Sequence, residues 1–240
     1  MTKRRVIEDG AIFVADAHVR DGREEFFEFL QQIKSKKIKT TQLFLMGDIF
    51  DLLVGGVRYT LNYNKKYIDL INELSKEIQI YYFEGNHDFS LKKIFPNIVI
   101  FPIEKQPVKF KHREDKILLC HGDIVTPLIY KVYTKFIRNK MVLYIASFFD
   151  TVCGGCIVKK IIDGQKNKLL CRKIENFEDI ICQRMRKLDI KDIKYFIEGH
   201  FHQNREFDCL EKKYINLPSF ACNKSFFIVQ SQIGFKNIQL

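Results

Sequence analysis

Gln42-Leu43-Phe44-Leu45-Met46-Gly47-Asp48-Ile49-Phe50-Asp51 decides the fold. Gln42–Met46 reads as a buried strand, and a polar Gly-Asp-x-x-Asp turn follows it at once. The same grammar recurs outward in both directions. Ala11–Ala15 runs into Asp16-Ala17-His18, and Ile78–Phe83 runs into Gly85-Asn86-His87-Asp88. Ile117–Cys120 runs into His121-Gly122-Asp123, and Ile193–Ile197 into Gly199-His200-Phe201-His202. Amphipathic stretches lie between. Arg23–Lys34 sets Phe26, Phe27, Leu30 and Ile33 on one side of a helix, and Asn62–Glu77 reads as another. Shorter strands are expected at Ile98–Phe101, Val108–Phe110, Tyr214–Leu217, Phe226–Gln230 and towards Leu240. This βαβα order predicts an α/β layered domain.

Ligands of such a domain gather at the carboxyl ends of its strands, so five polar motifs there can share one crevice. Five of the six histidines sit in those motifs, and only His112 lies outside. Asp16, His18, Asp48, Asn86, His121, His200 and His202 offer oxygen and imidazole donors and no thiolate. That set disfavours structural zinc and suits Mn, Fe or Zn in a catalytic role. Seven ligands exceed what one ion with an open position accepts. They suit two divalent ions, roughly 3.5–4 Å apart, with a bridging carboxylate and a water between them. Glycines beside Asp48, Asn86, His121 and His200 are expected to let the backbone turn sharply. Each motif alone is an ordinary turn, and it is their joint occurrence that points to a site.

After Cys120 the pattern changes. Leu128, Val132 and Phe136, with Ile129, Tyr133 and Ile137, repeat at helical spacing, and Lys131, Lys135 and Arg138 fall on the other side. Met141–Phe149 continues as a more apolar helix, and Asn176–Leu188 reads as another. The expected organisation is a core in two parts, residues 1–124 and 190–240, interrupted by a helical cap at residues 125–189. The net charge is +11, and the segment Ile124–Lys194 alone carries +8. A solvated lysine-rich helix face would account for part of that. A basic surface with many apolar residues fits phosphate-bearing or membrane-surface partners better. No interleaved aromatic and basic platform is evident, so nucleic acid is not the expected partner.

At 240 residues, 46% hydrophobic and 29% charged, the chain is neither disordered nor fibrous, and it is long enough for one large domain without staples. Seven scattered cysteines read as free thiols in a reducing compartment. Cys153-Gly154-Gly155-Cys156 reads as a turn between helices with incidental cysteines. The apolar stretch at Ala11–Ala15 is too short for a signal peptide, and the nine residues Met141–Phe149 fall short of the roughly 20 that span a membrane. The expected location is cytoplasmic, at most peripheral on the inner face of the cell membrane.

The ordered set D-x-H, GD-x-x-D, GN-H-D, HGD and GH-x-H resembles the calcineurin-like metallophosphoesterases, from residue 12 to about residue 220. That stretch includes Tyr214-Ile215-Asn216-Leu217-Pro218-Ser219, similar to the strand and turn after the family's last block. The resemblance implies a four-layer α/β/β/α sandwich and two divalent metal ions, with Mn²⁺ the expected pair. It implies that Asp16, His18, Asp48 and His202 hold one ion. Asp48, Asn86, His121 and His200 would hold the other, with Asp48 as the bridge. His87 would face the phosphoryl group and Asp88 would orient it. Within the family the chain resembles the bacterial UDP-2,3-diacylglucosamine pyrophosphatases of lipid A synthesis. The similar stretches are Ile12-Phe13-Val14-Ala15-Asp16, Gly47-Asp48-Ile49-Phe50, Gly85-Asn86-His87-Asp88-Phe89 and Phe196-Ile197-Glu198-Gly199-His200. His87 stands where that branch carries Arg, and Phe201 where it carries Thr. The cap, with Tyr133-Thr134-Lys135-Phe136, Arg138 and Arg184-Met185-Arg186, would hold a lipid-linked sugar nucleotide. Tyr133, Lys135, Phe136 and Arg138 are its expected contacts, and an anionic membrane surface is the expected partner. Other substrates open to the family are nucleotides, nucleic acid and phosphoproteins. A non-catalytic scaffold on this fold would have lost ligands, whereas all seven are present.

Overall fold

The computed structural model describes residues 5–125, 128–166, 169–230 and 235–239. The expected α/β architecture is present as two main sheets. The elements up to the fourth motif are β1 (Ile12–Val14), α1 (Glu25–Lys34), β2 (Gln42–Leu45), β3 (Leu53–Val54), α2 (Arg58–Tyr63), α3 (Lys65–Leu74), β4 (Gln79–Phe83), β5 (Asp88–Phe89), β6 (Val99–Phe101), β7 (Val108–His112) and β8 (Asp115–Cys120). Four helices follow: α4 (Leu128–Ile137), α5 (Lys140–Val152), α6 (Cys156–Lys166) and α7 (Phe177–Met185). The chain ends with β9 (Tyr195–Glu198), β10 (Arg205–Cys209), β11 (Lys212–Asn216), α8 (Phe220–Asn223), β12 (Ser225–Val229) and β13 (Phe235–Gln239).

One sheet runs β13-β12-β1-β2-β4-β6, and the other runs β10-β11-β9-β8-β7. β1, β2, β4 and β6 are parallel neighbours, as are β8, β9 and β11. Strands buried on both faces become continuous apolar runs, which is how β2 reads in the sequence. Alternation assigns the two faces. Ile12, Val14, Leu43, Leu45, Ile80 and Tyr82 pack with Phe26, Phe29 and Ile71 of α1 and α3. Phe13, Phe44, Tyr81 and Phe101 turn the other way and pack with Phe110, Ile117, Leu119 and Ile197 of the second sheet. Phe13 stacks on Phe44 at 4.3 Å between ring centroids, and Phe44 on Tyr81 at 4.7 Å. α7 covers the far side of the second sheet, where Phe177, Ile181 and Met185 meet Leu118, Phe196 and Tyr214. α1 buries Phe29 where the sequence pattern put Phe27.

The single helix expected over Asn62–Glu77 is two. Asn64 ends α2, and its side-chain amide donates to the carbonyls of Leu52 and Thr60, which draws the chain out of one axis. The free-thiol expectation is corrected for six cysteines. Cys153–Cys156, Cys171–Cys222 and Cys182–Cys209 are disulfide-bonded, and buried Cys120 alone is free. The Gly-Gly turn between helices is present, with its cysteines joined across it. No single described helix is long and apolar enough to cross a membrane.

α6 sits on the core through Val158 and Ile162, which pack with Val54, Val57 and Phe89, and α4 and α5 add Ile137 and Leu143 to the same cluster. Helical spacing sets Val132 and Phe136 on one side of α4 and Arg138 on the other. In the structure Val132 and Phe136 are 63% and 62% exposed, whereas the Arg138 side chain is only 8% exposed. Helical spacing defines which residues share a face but not which face meets the core. The side chains of Leu128 and Lys131, and residues Met1–Arg4 and Leu240, lie outside what is described.

Candidate metal centre

The five motifs follow the carboxyl ends of β1, β2, β4, β8 and β9, so both sheets contribute to one site. Asp16, His18 and His202 bring ligand atoms within 4.8 Å of one another, and so do Asp48, His121 and His200. Asp16, His18, Asp48, His200 and His202 all have positive φ, from 43° to 67°. Left-handed backbone is uncommon outside glycine, and five such residues in one cluster mark a functional site. The glycines play two parts. Gly47 and Gly122 turn at positive φ. Gly85 and Gly199 instead give room, since a Cβ at Gly85 would lie 2.2 Å from Asp48 Oδ1.

Three buried candidate ligand atoms have no hydrogen-bond partner in the protein: Asp16 Oδ1, His18 Nε2 and Asn86 Oδ1. The imidazoles are oriented by their other nitrogens. His18 Nδ1 lies 3.2 Å from Asp51 Oδ1, His121 Nδ1 lies 2.9 Å from the Met46 carbonyl, and His202 Nδ1 lies 2.6 Å from the Leu170 carbonyl. Each ring then presents Nε2 inward, 3.4 Å from Asp48 Oδ2 for His121 and 3.3 Å from Asp16 Oδ1 for His202. Ligating histidines are held in this way. His121 Nε2 also lies 3.2 Å from His200 Nδ1. Orphaned oxygens beside the unpartnered His18 Nε2 fit divalent cations and would be costly without them.

The electrostatics agree. Burial alone would raise the Asp48 carboxyl, but the His121 and His87 imidazoles outweigh it and hold the group well below the usual carboxylate range. Burial and the neighbouring His121 drive His200 down to about 3. Burial and the Asp48 charge lift Asp88 to about 7.

Asp88 does not orient His87, contrary to the expectation. Its oxygens accept from the Asp48, Ile49 and Gly85 N–H groups and the Tyr82 hydroxyl, so it clamps two ligand-bearing loops together. His87 Nδ1 instead donates to the Asp51 carbonyl at 2.8 Å, which leaves Nε2 facing Asp48 Oδ2 at 4.0 Å. His112 lies apart and bonds Asp9 at 2.9 Å.

Next to Asn86 and His87 opens a cavity of about 440 Å³. Its walls include Leu52, Val54 and Phe89 from the core and Val142, Ile157 and Ile161 from the cap. Of the four expected cap contacts, Tyr133 and Arg138 line it. Lys135 and Phe136 do not: they are exposed on α4's outer side, because residues 133, 134, 137 and 138 form its inner stripe.

The sequence reading missed Arg184 as a structural link. It reaches from α7 to both loops of the second sheet, donating to Glu198 Oε1 at 2.8 Å and to the Gly122 carbonyl at 2.5 Å, with its guanidinium 4.6 Å from the Phe201 ring centroid. Tyr214 also donates to Glu198 Oε1, at 2.8 Å. Only Arg184 itself was visible beforehand, as part of a basic segment. Arg184→Met should weaken divalent-ion binding roughly 10- to 100-fold, and Arg184→Lys should lose less. Calorimetric titration of Mn²⁺ into the metal-free proteins checks this, and equal affinities would show the link to be dispensable.

A UDP-2,3-diacylglucosamine hydrolase of Histophilus somni (strain 129Pt) is 24% identical over 197 residues, covering 80% of this chain and 83% of that protein. One from Psychromonas ingrahamii (strain DSM 17664 / CCUG 51855 / 37) is 24% identical over 200 residues, 80% of each chain. A solved archaeal phosphodiesterase covers 96% of this chain and 99% of its own at 11% identity, with a TM-score of 0.47. The family model for calcineurin-like phosphoesterases matches residues 11–204, a span that contains all five motifs, and the chain belongs to that family.

Proposed function

We propose that this phosphoesterase hydrolyses the pyrophosphate of UDP-2,3-diacylglucosamine, giving UMP and 2,3-diacylglucosamine 1-phosphate, as a step of lipid A synthesis. The observation that carries this reading is the mostly apolar cavity that opens beside Asn86 and His87. A phosphate ester at the metal centre could thread a hydrocarbon substituent into it. The names of the relatives at 24% identity agree.

In this reading Asp16, His18, Asp48 and His202 hold one divalent ion, and Asp48, Asn86, His121 and His200 hold the other, with Mn²⁺ as the working metal. Bound there, the ions supply Lewis acidity to the phosphoryl oxygens and lower the pKa of water. Water adds across the P–O–P link: one phosphorus gains the hydroxyl, and the other leaves with the bridging oxygen. The Asp51 carbonyl fixes the His87 ring and aims Nε2 at the charge developing on the phosphoryl oxygens. Tyr133 and Arg138 line the path to the cavity.

The same reading sets the protein against an anionic membrane. Val132, Phe136, Met141, Tyr144, Phe148 and Val152 of α4 and α5 are all more than half exposed. Apolar side chains of this kind beside basic ones favour an interface. The paired cysteines withdraw the free-thiol argument for a reducing compartment.

UMP release from UDP-2,3-diacylglucosamine, set beside UDP-N-acetylglucosamine, RNA and a phosphopeptide, tests the reading. The acylated nucleotide should be the best substrate by kcat/KM. Parity with the non-acylated one, or a faster RNA or phosphopeptide reaction, would overturn it.

A sugar phosphate leaves with a second pKa of about 6 and needs little protonation at neutral pH. His87 should therefore act mainly through charge. His87→Arg should retain at least about tenfold more activity on the pyrophosphate than His87→Ala. Equal losses would instead make His87 an obligatory acid.

A further inference from the structure

A second cavity, of about 930 Å³, lies behind the first and shares Arg138 and Leu143 with it. None of the candidate metal ligands lines it, and neither does His87. Its apolar lining includes Leu61, Ile94 and the exposed Tyr144, and Lys92, Lys93 and Lys140 are exposed in its walls. Among the described residues these three lysines form no ion pair, whereas Lys65 is paired with Asp69.

Arg138 is the informative residue. One nitrogen, Nη2, donates to the Gly85 carbonyl at 2.8 Å, and the guanidinium lies 5.0 Å from the Phe89 ring centroid. Nε and Nη1 are buried and have no hydrogen-bond partner. The nearest acid, Glu104, stays 4.0 Å from Nη1 with its side chain 67% exposed. The other acid in the wall, Glu84, forms no ion pair with Arg138, and its Oε1 accepts from the Leu91 N–H at 2.8 Å. A buried guanidinium with two idle donors is expensive unless an anion completes it. Tyr144 joins this cavity to the open apolar face of α5, which carries Met141, Ile145 and Phe148.

We propose that this second cavity seats an anionic phospholipid taken from the membrane surface. Its phosphate would lie among Lys92, Lys93, Lys140 and Arg138, and the start of one chain along Leu61, Ile94 and Tyr144. Charge selects the headgroup, and the apolar lining separates a lipid from a free anion. Because Arg138 also holds Gly85, the residue before Asn86 and His87, occupancy of the cavity is adjacent to the reaction loop. The inference is independent of which phosphate ester the metal centre cleaves.

The test is calorimetric titration of the metal-loaded full chain with dihexanoyl phosphatidylglycerol below its micelle concentration, with dihexanoyl phosphatidylcholine, and with inorganic phosphate. The comparison protein is Lys92→Ala/Lys93→Ala/Lys140→Ala, whose hydrolysis of a small artificial phosphodiester should be unchanged. Phosphatidylglycerol should bind saturably, at least about tenfold more tightly than the other two probes and about tenfold more weakly to the triple variant. No saturable binding, equal binding to both proteins, or phosphate binding as tightly as the lipid would each overturn the proposal. Loss of acyl preference in the substrate panel would leave this titration unaffected, so the two readings fail separately.

Discussion

Asp48→Ala is expected to abolish hydrolysis, with a loss of at least about 10³-fold for every phosphate ester tried. Asp48 lies in the triad with His121 and His200, and its Oδ1 also accepts from the His87 N–H at 2.9 Å. Its removal would take away a candidate ligand and free the loop that carries His87. EDTA should inactivate the wild type, and added Mn²⁺ should restore the wild type only. Counting bound ions per chain separates the two effects. The variant should hold fewer ions than the wild type, and a variant that keeps both the full complement and full activity would remove Asp48 from the centre.

Ile157→Asp/Ile161→Asp should cut kcat/KM for the diacylated substrate by roughly 10²-fold and leave a small artificial phosphodiester alone. The two side chains sit one turn apart on α6 and line the cavity beside His87, yet are 40% and 42% exposed, so charge there should not unfold the cap. Each methylene kept from water contributes about 0.8 kcal/mol, and denying burial to about three or four methylenes accounts for the loss. An equal fall on both substrates would mean that the cap had been disrupted. No fall on either would place the acyl chains elsewhere.

The candidate metal centre was legible because its residues come in short motifs directly after strands, where chemistry and geometry coincide. The Asp51 carbonyl was not, since a backbone oxygen has no signature, although Asp51 itself stood in the first motif quoted. Asp88 was misassigned because a carboxylate beside a histidine in sequence need not face its ring, and here it faces three backbone N–H groups and a tyrosine. α4 was located by its periodicity, but which of its sides meets the core was not legible. Helical spacing tells which residues share a face and is silent on the partner that covers it. The strand β10 was missed because Arg205–Cys209 is a mostly polar edge with nothing to alternate against. Cys171 and Cys222 are 51 residues apart, and spacing alone cannot pair them.

Five of the candidate ligand residues hold left-handed backbone, which bears on how ions would enter the centre. Each is held in a backbone state costing about 1–2 kcal/mol, and two of the five, Asp16 and Asp48, carry buried carboxylates whose charge divalent ions would neutralise. Without ions there, the loops would be free to relax towards commoner dihedrals, and binding would have to bend them back. Loading would then be a conformational event as well as a coordination one.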